Sequence, residues 1–224
     1  ILDIEYIRKL LPNIFFHIDA VQSFGKINID VKKMNVDALS ISAHKIYGPK
    51  GIGAAYVKSG TPMNSLIIGG GQERNRRAGT ENVASIVGFA EAVKLAKENM
   101  DENYQKMKEL KDHFISSVNK IDGITINGST NASPYILSLT LNPDIYKTDS
   151  EAILMFFDIN GIAVSAGSAC TSGTLKPSHV ILAAGYSENY AKGTIRFSFS
   201  QCNTIEEIDY TIDILRKLTS KILK

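Results

Sequence analysis

The sequence predicts an α/β fold with a mainly parallel sheet, followed by a smaller α+β region. Short apolar runs alternate with amphipathic stretches over residues 1–60. From about Glu81 onward, two long stretches carry apolar residues at helical spacing, and shorter strand-like and helix-like stretches follow them. Buried strands that alternate with helices are typical of sheets whose two faces are covered.

The first region contains one predicted helix and three predicted strands. Apolar residues three and four positions apart predict a helix over residues 2–11. Three short apolar runs predict buried strands, and these are residues 13–18, 38–42 and 52–57. The turn-forming residues 48–51 lie between the last two runs.

The second region combines helices with further strands. Helical spacing predicts helices over residues 82–100, 103–121 and 151–159, and extended patterns predict strands at 124–126, 135–139 and 194–199. Thr148 with Glu151 forms a predicted capping box for the third of these helices, and Thr204 with Glu207 forms one for a last helix. We place the domain boundary near residue 100, which gives a sheet domain of residues 1–100 and a smaller domain of residues 101–224.

The composition excludes several classes of protein. The 224 residues carry 25 Lys plus Arg against 23 Asp plus Glu, a formal net charge of +2, so the charge favours neither nucleic acid nor an anionic membrane surface as a partner. No stretch approaches the roughly 20 apolar residues of a membrane span, and no leader is visible, which predicts a cytoplasmic protein. The two cysteines form no Cys-x-x-Cys pair, so no zinc site or other metal is expected.

The first candidate site lies just after the second predicted strand, at Ser42, His44 and Lys45. Ligands of open α/β sheets bind beyond the carboxyl ends of the strands. A lysine in such a place can form a Schiff base with a carbonyl, which is how pyridoxal phosphate enzymes use it. From these residues alone, a surface turn with an incidental lysine is an equally good interpretation.

Asp19 closes the first predicted strand, and Gln22 follows three residues later. A buried carboxylate needs a partner, and a cationic ring nitrogen would be one. Gln22 could donate an amide hydrogen to a substituent of the same ring. The alternative is that Asp19 caps the next helix.

Glycine-rich segments occur at residues 48–53 and 69–71, and neither has the Gly-Lys-Ser/Thr spacing of a nucleotide-binding P-loop. Residues 76–82 precede a predicted helix, where backbone amides and the Thr80 hydroxyl could meet an anion. The alternative is a plain helix start that Thr80 caps.

Cys170 lies among very small residues, a setting that favours a reactive and accessible thiol, whereas Cys202 is expected to be structural. Arg196 interrupts an apolar strand, where a guanidinium is expensive without a carboxylate partner. A clamp for a substrate carboxylate is one interpretation of Arg196, and an exposed arginine or a structural salt bridge at a sheet edge is the other.

Taken together, these motifs resemble the cysteine desulfurases of the NifS/IscS type, which belong to class V of the pyridoxal phosphate-dependent aminotransferases and have fold type I. The motifs that carry the resemblance are residues 17–22, 42–53, 77–82 and 167–172. The resemblance covers essentially the whole chain. It implies that residues 1–100 are part of the cofactor-binding large domain and that residues 101–224 are the small domain with the catalytic cysteine loop.

The resemblance also implies a role for each candidate residue. Lys45 is the Schiff-base lysine, and Cys170 attacks the sulfur of the substrate. Arg196 holds the substrate carboxylate. The implied cofactor-binding residues besides Lys45 are Asp19 at the pyridine nitrogen, Gln22 at the ring hydroxyl, Ser42 and His44 at the phosphate, and Thr80 at the phosphate of the neighbouring subunit.

The implied activity is removal of sulfur from L-cysteine, which gives L-alanine and a persulfide on Cys170 for delivery to iron-sulfur or thio-cofactor biosynthesis. The implied partners are a second copy of the chain and sulfur-acceptor proteins such as an iron-sulfur scaffold. Two alternatives stay open: a selenocysteine lyase or another class V enzyme, and a non-catalytic dimerisation or docking module.

The chain begins at Ile1 without a methionine, and the resemblance implies that the family's early segment is not part of it. We therefore expect a C-terminal portion of a longer enzyme. This portion alone is expected to bind pyridoxal phosphate weakly or not at all and to have little desulfurase activity.

Overall fold

A computed structural model describes residues 1–129, 131–166 and 177–224. The chain divides into two compact units, one of residues Leu2–Asn103 and one of Tyr104–Lys224 together with Ile1. The assignment of residues 1–100 and 101–224 to the two domains of an enzyme stays a prediction. In the described part of the chain, no helix has the length and apolar character needed to cross a membrane.

The first unit contains a three-stranded sheet with helices around it. Its elements are α1 (Ile4–Leu10), β1 (His17–Asp19), β2 (Ala38–Ser42), a 3₁₀ turn (Ala43–Ile46), β3 (Gly53–Val57), the short α2 (Gln72–Asn75) and α3 (Val83–Glu98). The strands lie in the order β1-β2-β3. One small core under the sheet contains Ala20, Val36 and Leu39, and a second joins the 3₁₀ turn to Phe89 and Ala92 of α3.

The sheet of the first unit is mixed, whereas the sequence predicts a mainly parallel one. β1 pairs with β2 in parallel, and β2 pairs with β3 antiparallel. The connection from β2 to β3 is residues 43–52, which is too short for a parallel crossover of about a dozen residues or more. β1 is also shorter than the predicted run at 13–18, since only three residues from His17 pair with β2.

The second unit packs helices against an antiparallel sheet. Its elements are α4 (Met100–Val118), β4 (Ile124–Asn127), β5 (Ile136–Leu141), α5 (Ser150–Asp158), α6 (His179–Ala183), α7 (Glu188–Lys192), β6 (Thr194–Ser198) and α8 (Ile205–Ile222). The strands lie in the order β4-β5-β6. α4 starts just before the division between the units.

Alternation along the strands gives this sheet one apolar and one polar face. Leu137, Leu139 and Leu141 of β5 are fully buried in the main core. Phe114 of α4 joins the same core and makes an edge-to-face contact with Phe197 of β6 at a centroid distance of 4.9 Å. The opposite face is polar, and it carries the side chains discussed below.

One of the two predicted capping boxes is confirmed and the other is wrong. At α8, the Thr204 hydroxyl accepts a hydrogen bond from the Glu207 backbone and the Glu207 carboxylate accepts one from the Thr204 backbone. At α5 the cap is Asp149, whose carboxylate accepts hydrogen bonds from the backbone N–H groups of the two residues after Ser150. Thr148 lies one position too early to cap that helix.

Candidate active site

Asp19 and Ser42 lie at the same edge of the first sheet. Asp19 is the last residue of β1, and Ser42 is the last residue of β2. The two strands run in the same direction, with Asp19 opposite Ser40, so both carboxyl ends point to one edge. This is the edge at which ligands of open α/β sheets bind.

The 3₁₀ turn that follows β2 presents His44 and Lys45 at this edge. Ala43 and Ile46 of the turn are buried against α3, which leaves the two residues between them on the outer side. Lys45 is half-buried and His44 is exposed. The Ser42 hydroxyl and His44 Nδ1 are 2.7 Å apart, so a hydroxyl and an imidazole lie next to the lysine.

Asp19 begins a tight turn. One carboxylate oxygen of Asp19 accepts a hydrogen bond from the backbone N–H of Val21 at 2.9 Å. Asp19 therefore caps the turn that follows β1, and not a helix as the alternative interpretation had it. Gln22 lies exposed in the same turn. The turn follows the carboxyl end of β1, at the sheet edge where the Lys45 turn follows β2.

Lys26 is a further cationic group of this region, and it was not among the residues that the sequence motifs selected. Burial lowers the pKa of Lys26 below its ordinary value, and the positive charge of Lys45 lowers it further. Gly25 explains how the two lysines come close. It has a left-handed backbone with φ of 71°, and a Cβ placed on it would lie 2.7 Å from Ile46 Cγ2. No sequence motif marks Lys26, and the close approach at Gly25 brings it to the Lys45 turn.

Thr80 lies in the loop before α3 and does not cap that helix, contrary to the alternative considered above. The cap is Asn82, whose side chain accepts a hydrogen bond from the Ser85 backbone at 3.2 Å. Arg77 closes the loop by donating to the carbonyl oxygens of Gly79 at 2.7 Å and Thr80 at 3.3 Å. The Thr80 side chain is exposed.

Arg196 lies in the second unit, on the polar face of β6. No described residue forms an ion pair with it, so the salt-bridge interpretation is wrong within the described ranges. Its Nη2 donates to the Ser165 hydroxyl at 3.3 Å. Its Nε is buried and has no hydrogen-bond partner among the described residues.

Cys170 lies outside the described residues. Cys202, which the sequence predicts to be structural, is exposed instead, in the turn that follows β6. Its backbone N–H donates to the Ser200 hydroxyl at 3.3 Å. The prediction failed because the polar neighbours of Cys202 form a surface turn before the α8 cap.

Comparison with known proteins decides the family. The family model for aminotransferase class V matches residues 1–211. The chain belongs to the aminotransferase class V family.

Curated relatives in this class V family are named cysteine desulfurase IscS. The protein from Clostridium botulinum strain Hall is 46% identical over 92% of this chain and 52% of its own length. The one from Dictyoglomus turgidum is 44% identical over 94% of this chain and 53% of its own length. The chain therefore spans about half the length of the curated relatives it matches.

Solved structures of similar proteins share the fold. A NifS-like protein from Rickettsia africae has a TM-score of 0.87 and 36% identity, and the match covers 97% of this chain and 57% of that one. SspA in complex with cysteine has a TM-score of 0.69 and 34% identity, with 88% of this chain and 54% of that one covered. The predicted fold class, a type I α/β fold of the NifS-like kind, is confirmed.

The site residues fit the pyridoxal phosphate on which class V enzymes generally depend. The edge of the first sheet brings together a half-buried amine at Lys45, a hydroxyl and imidazole pair at Ser42 and His44, and a carboxylate at Asp19. An amine can bond to an aldehyde, the pair can donate to a phosphate, and a carboxylate can accept from a ring N–H. These groups therefore match the aldehyde, the phosphate and the ring nitrogen of the cofactor.

Proposed function

We propose that this chain is part of a pyridoxal phosphate-dependent cysteine desulfurase, which removes sulfur from L-cysteine and releases L-alanine. The observation that carries the proposal is the placement of Asp19, Ser42 and Lys45 at one edge of the β1-β2 pair. The names of the curated relatives support it, and so does the solved complex of the related SspA with cysteine.

Pyridoxal phosphate, when bound, supplies an aldehyde that links to an amine and a ring that draws electrons from the substrate Cα. Lys45 would hold its aldehyde carbon, and the Asp19 carboxylate would accept a hydrogen bond from its protonated ring nitrogen. Ser42 and His44 would bind its phosphate, and Gln22 would donate to its ring hydroxyl. When its amine is free, Lys45 would be the base that takes the proton from the substrate Cα.

The sulfur itself passes to Cys170 in this proposal. The Cys170 thiolate attacks the sulfur of L-cysteine, an S–S bond forms and the Cβ–S bond breaks. The electron pair of the broken bond stays on the carbon fragment, which takes up one proton at Cβ, regains the proton at Cα and leaves as L-alanine. Cys170 then carries a persulfide, and Arg196 holds the carboxylate of the substrate meanwhile.

The same proposal includes the assembly and the setting of the enzyme. It is a homodimer in which Thr80 of one subunit reaches the phosphate bound by the other, and a sulfur-acceptor protein, such as an iron-sulfur scaffold, takes the persulfide sulfur. Residues 1–100 belong to its cofactor domain and residues 101–224 to its small domain. The cytoplasm, where thiols stay reduced, suits the Cys170 chemistry.

Alanine formation from L-cysteine by the full-length, pyridoxal phosphate-loaded protein tests the proposal. Cys170→Ala abolishes alanine formation but keeps the visible absorbance of the bound cofactor, whereas Lys45→Ala loses that absorbance. Cys202→Ala is the matched control, because it removes the exposed thiol outside the site and leaves turnover unchanged. Undiminished alanine formation from L-cysteine by Cys170→Ala would show that the thiol is not the sulfur acceptor. Alanine formation by the wild type from L-selenocysteine but not from L-cysteine would identify a selenocysteine lyase instead of a desulfurase.

A further inference from the structure

Ser165 and Arg196 are joined by three hydrogen bonds. The Ser165 backbone N–H donates to the Arg196 carbonyl oxygen at 3.1 Å, and the Arg196 backbone N–H donates to the Ser165 carbonyl oxygen at 2.8 Å. The side chains add the bond from Arg196 Nη2 to the Ser165 hydroxyl at 3.3 Å. Ser165 thus extends the edge of the sheet at Arg196 through an isolated antiparallel bridge.

The hydroxyl bond leaves Arg196 ready for one more acceptor. A long arginine side chain loses up to about 2 kcal/mol of rotamer entropy when it is fixed. A guanidinium that a hydrogen bond already holds in place before the ligand arrives therefore loses less entropy on binding. The buried Arg196 Nε has no partner among the described residues, and a buried donor without an acceptor is costly. A carboxylate that accepts from Nε and from one Nη of a guanidinium removes that penalty in a bidentate pair.

We propose that Ser165 is a positioning residue whose hydroxyl fixes the Arg196 guanidinium for recognition of a substrate carboxylate. This inference rests on the proposed function, because it takes L-cysteine as the source of the carboxylate. The sequence separation of Ser165 and Arg196 is 31 residues, and only the strand pairing brings them together. On the neighbouring strand β5, the Ser138 hydroxyl instead accepts a hydrogen bond from the Asn127 side chain at 3.1 Å.

Ser165→Ala is a clean perturbation, because alanine keeps both backbone hydrogen bonds and removes only the hydroxyl. Ser165→Thr keeps the hydroxyl and is the conservative rescue. The matched control is Ser198→Ala, which removes a hydroxyl from an exposed position at the end of β6. Each variant is made in the full-length protein loaded with pyridoxal phosphate, and its thermal unfolding is recorded beside the wild type.

The kinetic test separates recognition of the carboxylate from general damage. In Ser165→Ala, the KM for L-cysteine and the inhibition constant of L-alanine rise roughly tenfold, the effect of one lost hydrogen bond to a charged group, while kcat changes less than about twofold. L-Alaninamide, which has no carboxylate, inhibits the variant and the wild type equally. Ser165→Thr and Ser198→Ala behave like the wild type. Equal weakening of L-alanine and L-alaninamide, or an unchanged KM, would overturn the proposal.

A direct measurement on Arg196 tests the role of Ser165 independently of the proposed function. The Nε–Hε NMR signal of Arg196 in the 224-residue chain is assigned by its absence in Arg196→Lys. Ser165→Ala shifts and broadens this signal, and Ser198→Ala leaves it in place. A wild type that makes no alanine from L-cysteine contradicts the proposed function. An Arg196 signal that Ser165→Ala does not change contradicts the role of Ser165.

Discussion

Gly25→Ala tests the packing that holds the Lys45 turn against the rest of the first unit. Gly25 has φ of 71°, and a Cβ added to it would lie 2.7 Å from Ile46 Cγ2 and 3.2 Å from Ala96 Cβ. Ile46 is buried, so its side chain has little freedom to withdraw. The new methyl group therefore pushes the turn that carries Lys45 away from α3.

The magnitude follows from three contributions to the free energy of unfolding. The left-handed backbone costs an alanine about 1–2 kcal/mol, and overpacking costs about 1–3 kcal/mol. The lower entropy of the unfolded chain offsets about 0.4–1 kcal/mol of this loss. We therefore expect Gly25→Ala to destabilise the chain by about 1–4.5 kcal/mol.

Gly51→Ala is the matched control. Gly51 is also left-handed, with φ of 80°, but a Cβ on it would have no atom within 4 Å. The two variants share the backbone and entropy terms, and they differ only by the overpacking of about 1–3 kcal/mol. Urea unfolding followed by circular dichroism measures both free energies on the 224-residue chain. Equal destabilisation by the two substitutions would refute the contact between Gly25 and Ile46.

Three further predictions concern stability. Burial lowers the pKa of Lys26 in the folded chain. Between that lowered pKa and the ordinary value of 10.5, the unfolded chain binds more protons than the folded chain. The free energy of unfolding therefore rises with pH over that window. Lys26→Gln removes this rise, and Lys97→Gln, at an exposed lysine of α3, keeps it in urea titrations at several pH values. Phe114→Ala removes a fully buried ring and lowers the free energy of unfolding by about 3–5 kcal/mol, measured in urea; a loss below about 1 kcal/mol contradicts the packing. Asn127→Ala breaks the 2.8 Å bond to the buried Thr140 hydroxyl, with an expected loss of about 1–3 kcal/mol in the same assay.

The sequence predicted the local elements well, because each rests on a local pattern. The predicted bounds of β2, residues 38–42, match the structure, since the run begins after the polar Asp37 and ends at the polar Ser42. The helix over 82–100 is observed as Val83–Glu98 for the same reason. The direction of β3 was not predictable from its apolar content, because a buried strand has the same kind of apolar run whether its partner is parallel or antiparallel. The length of its connection, residues 43–52, carries that information, because it is too short for a parallel crossover.

The candidate site divides in the same way between local and long-range signals. Residue type and position made Lys45 and Asp19 candidates, because each closes or follows a strand, and the resemblance to the family gave them their expected roles. The supporting residues Lys26 and Ser165 have no local signal of their own. Lys26 reaches the Lys45 turn because Gly25 permits a close approach, and Ser165 reaches Arg196 across 31 residues of chain. Side chains that act on a ligand can thus be proposed from motifs, whereas side chains that hold them in place are identified by the contacts of the fold. Ser165→Ala tests the second kind of residue because it changes a contact that no motif marks.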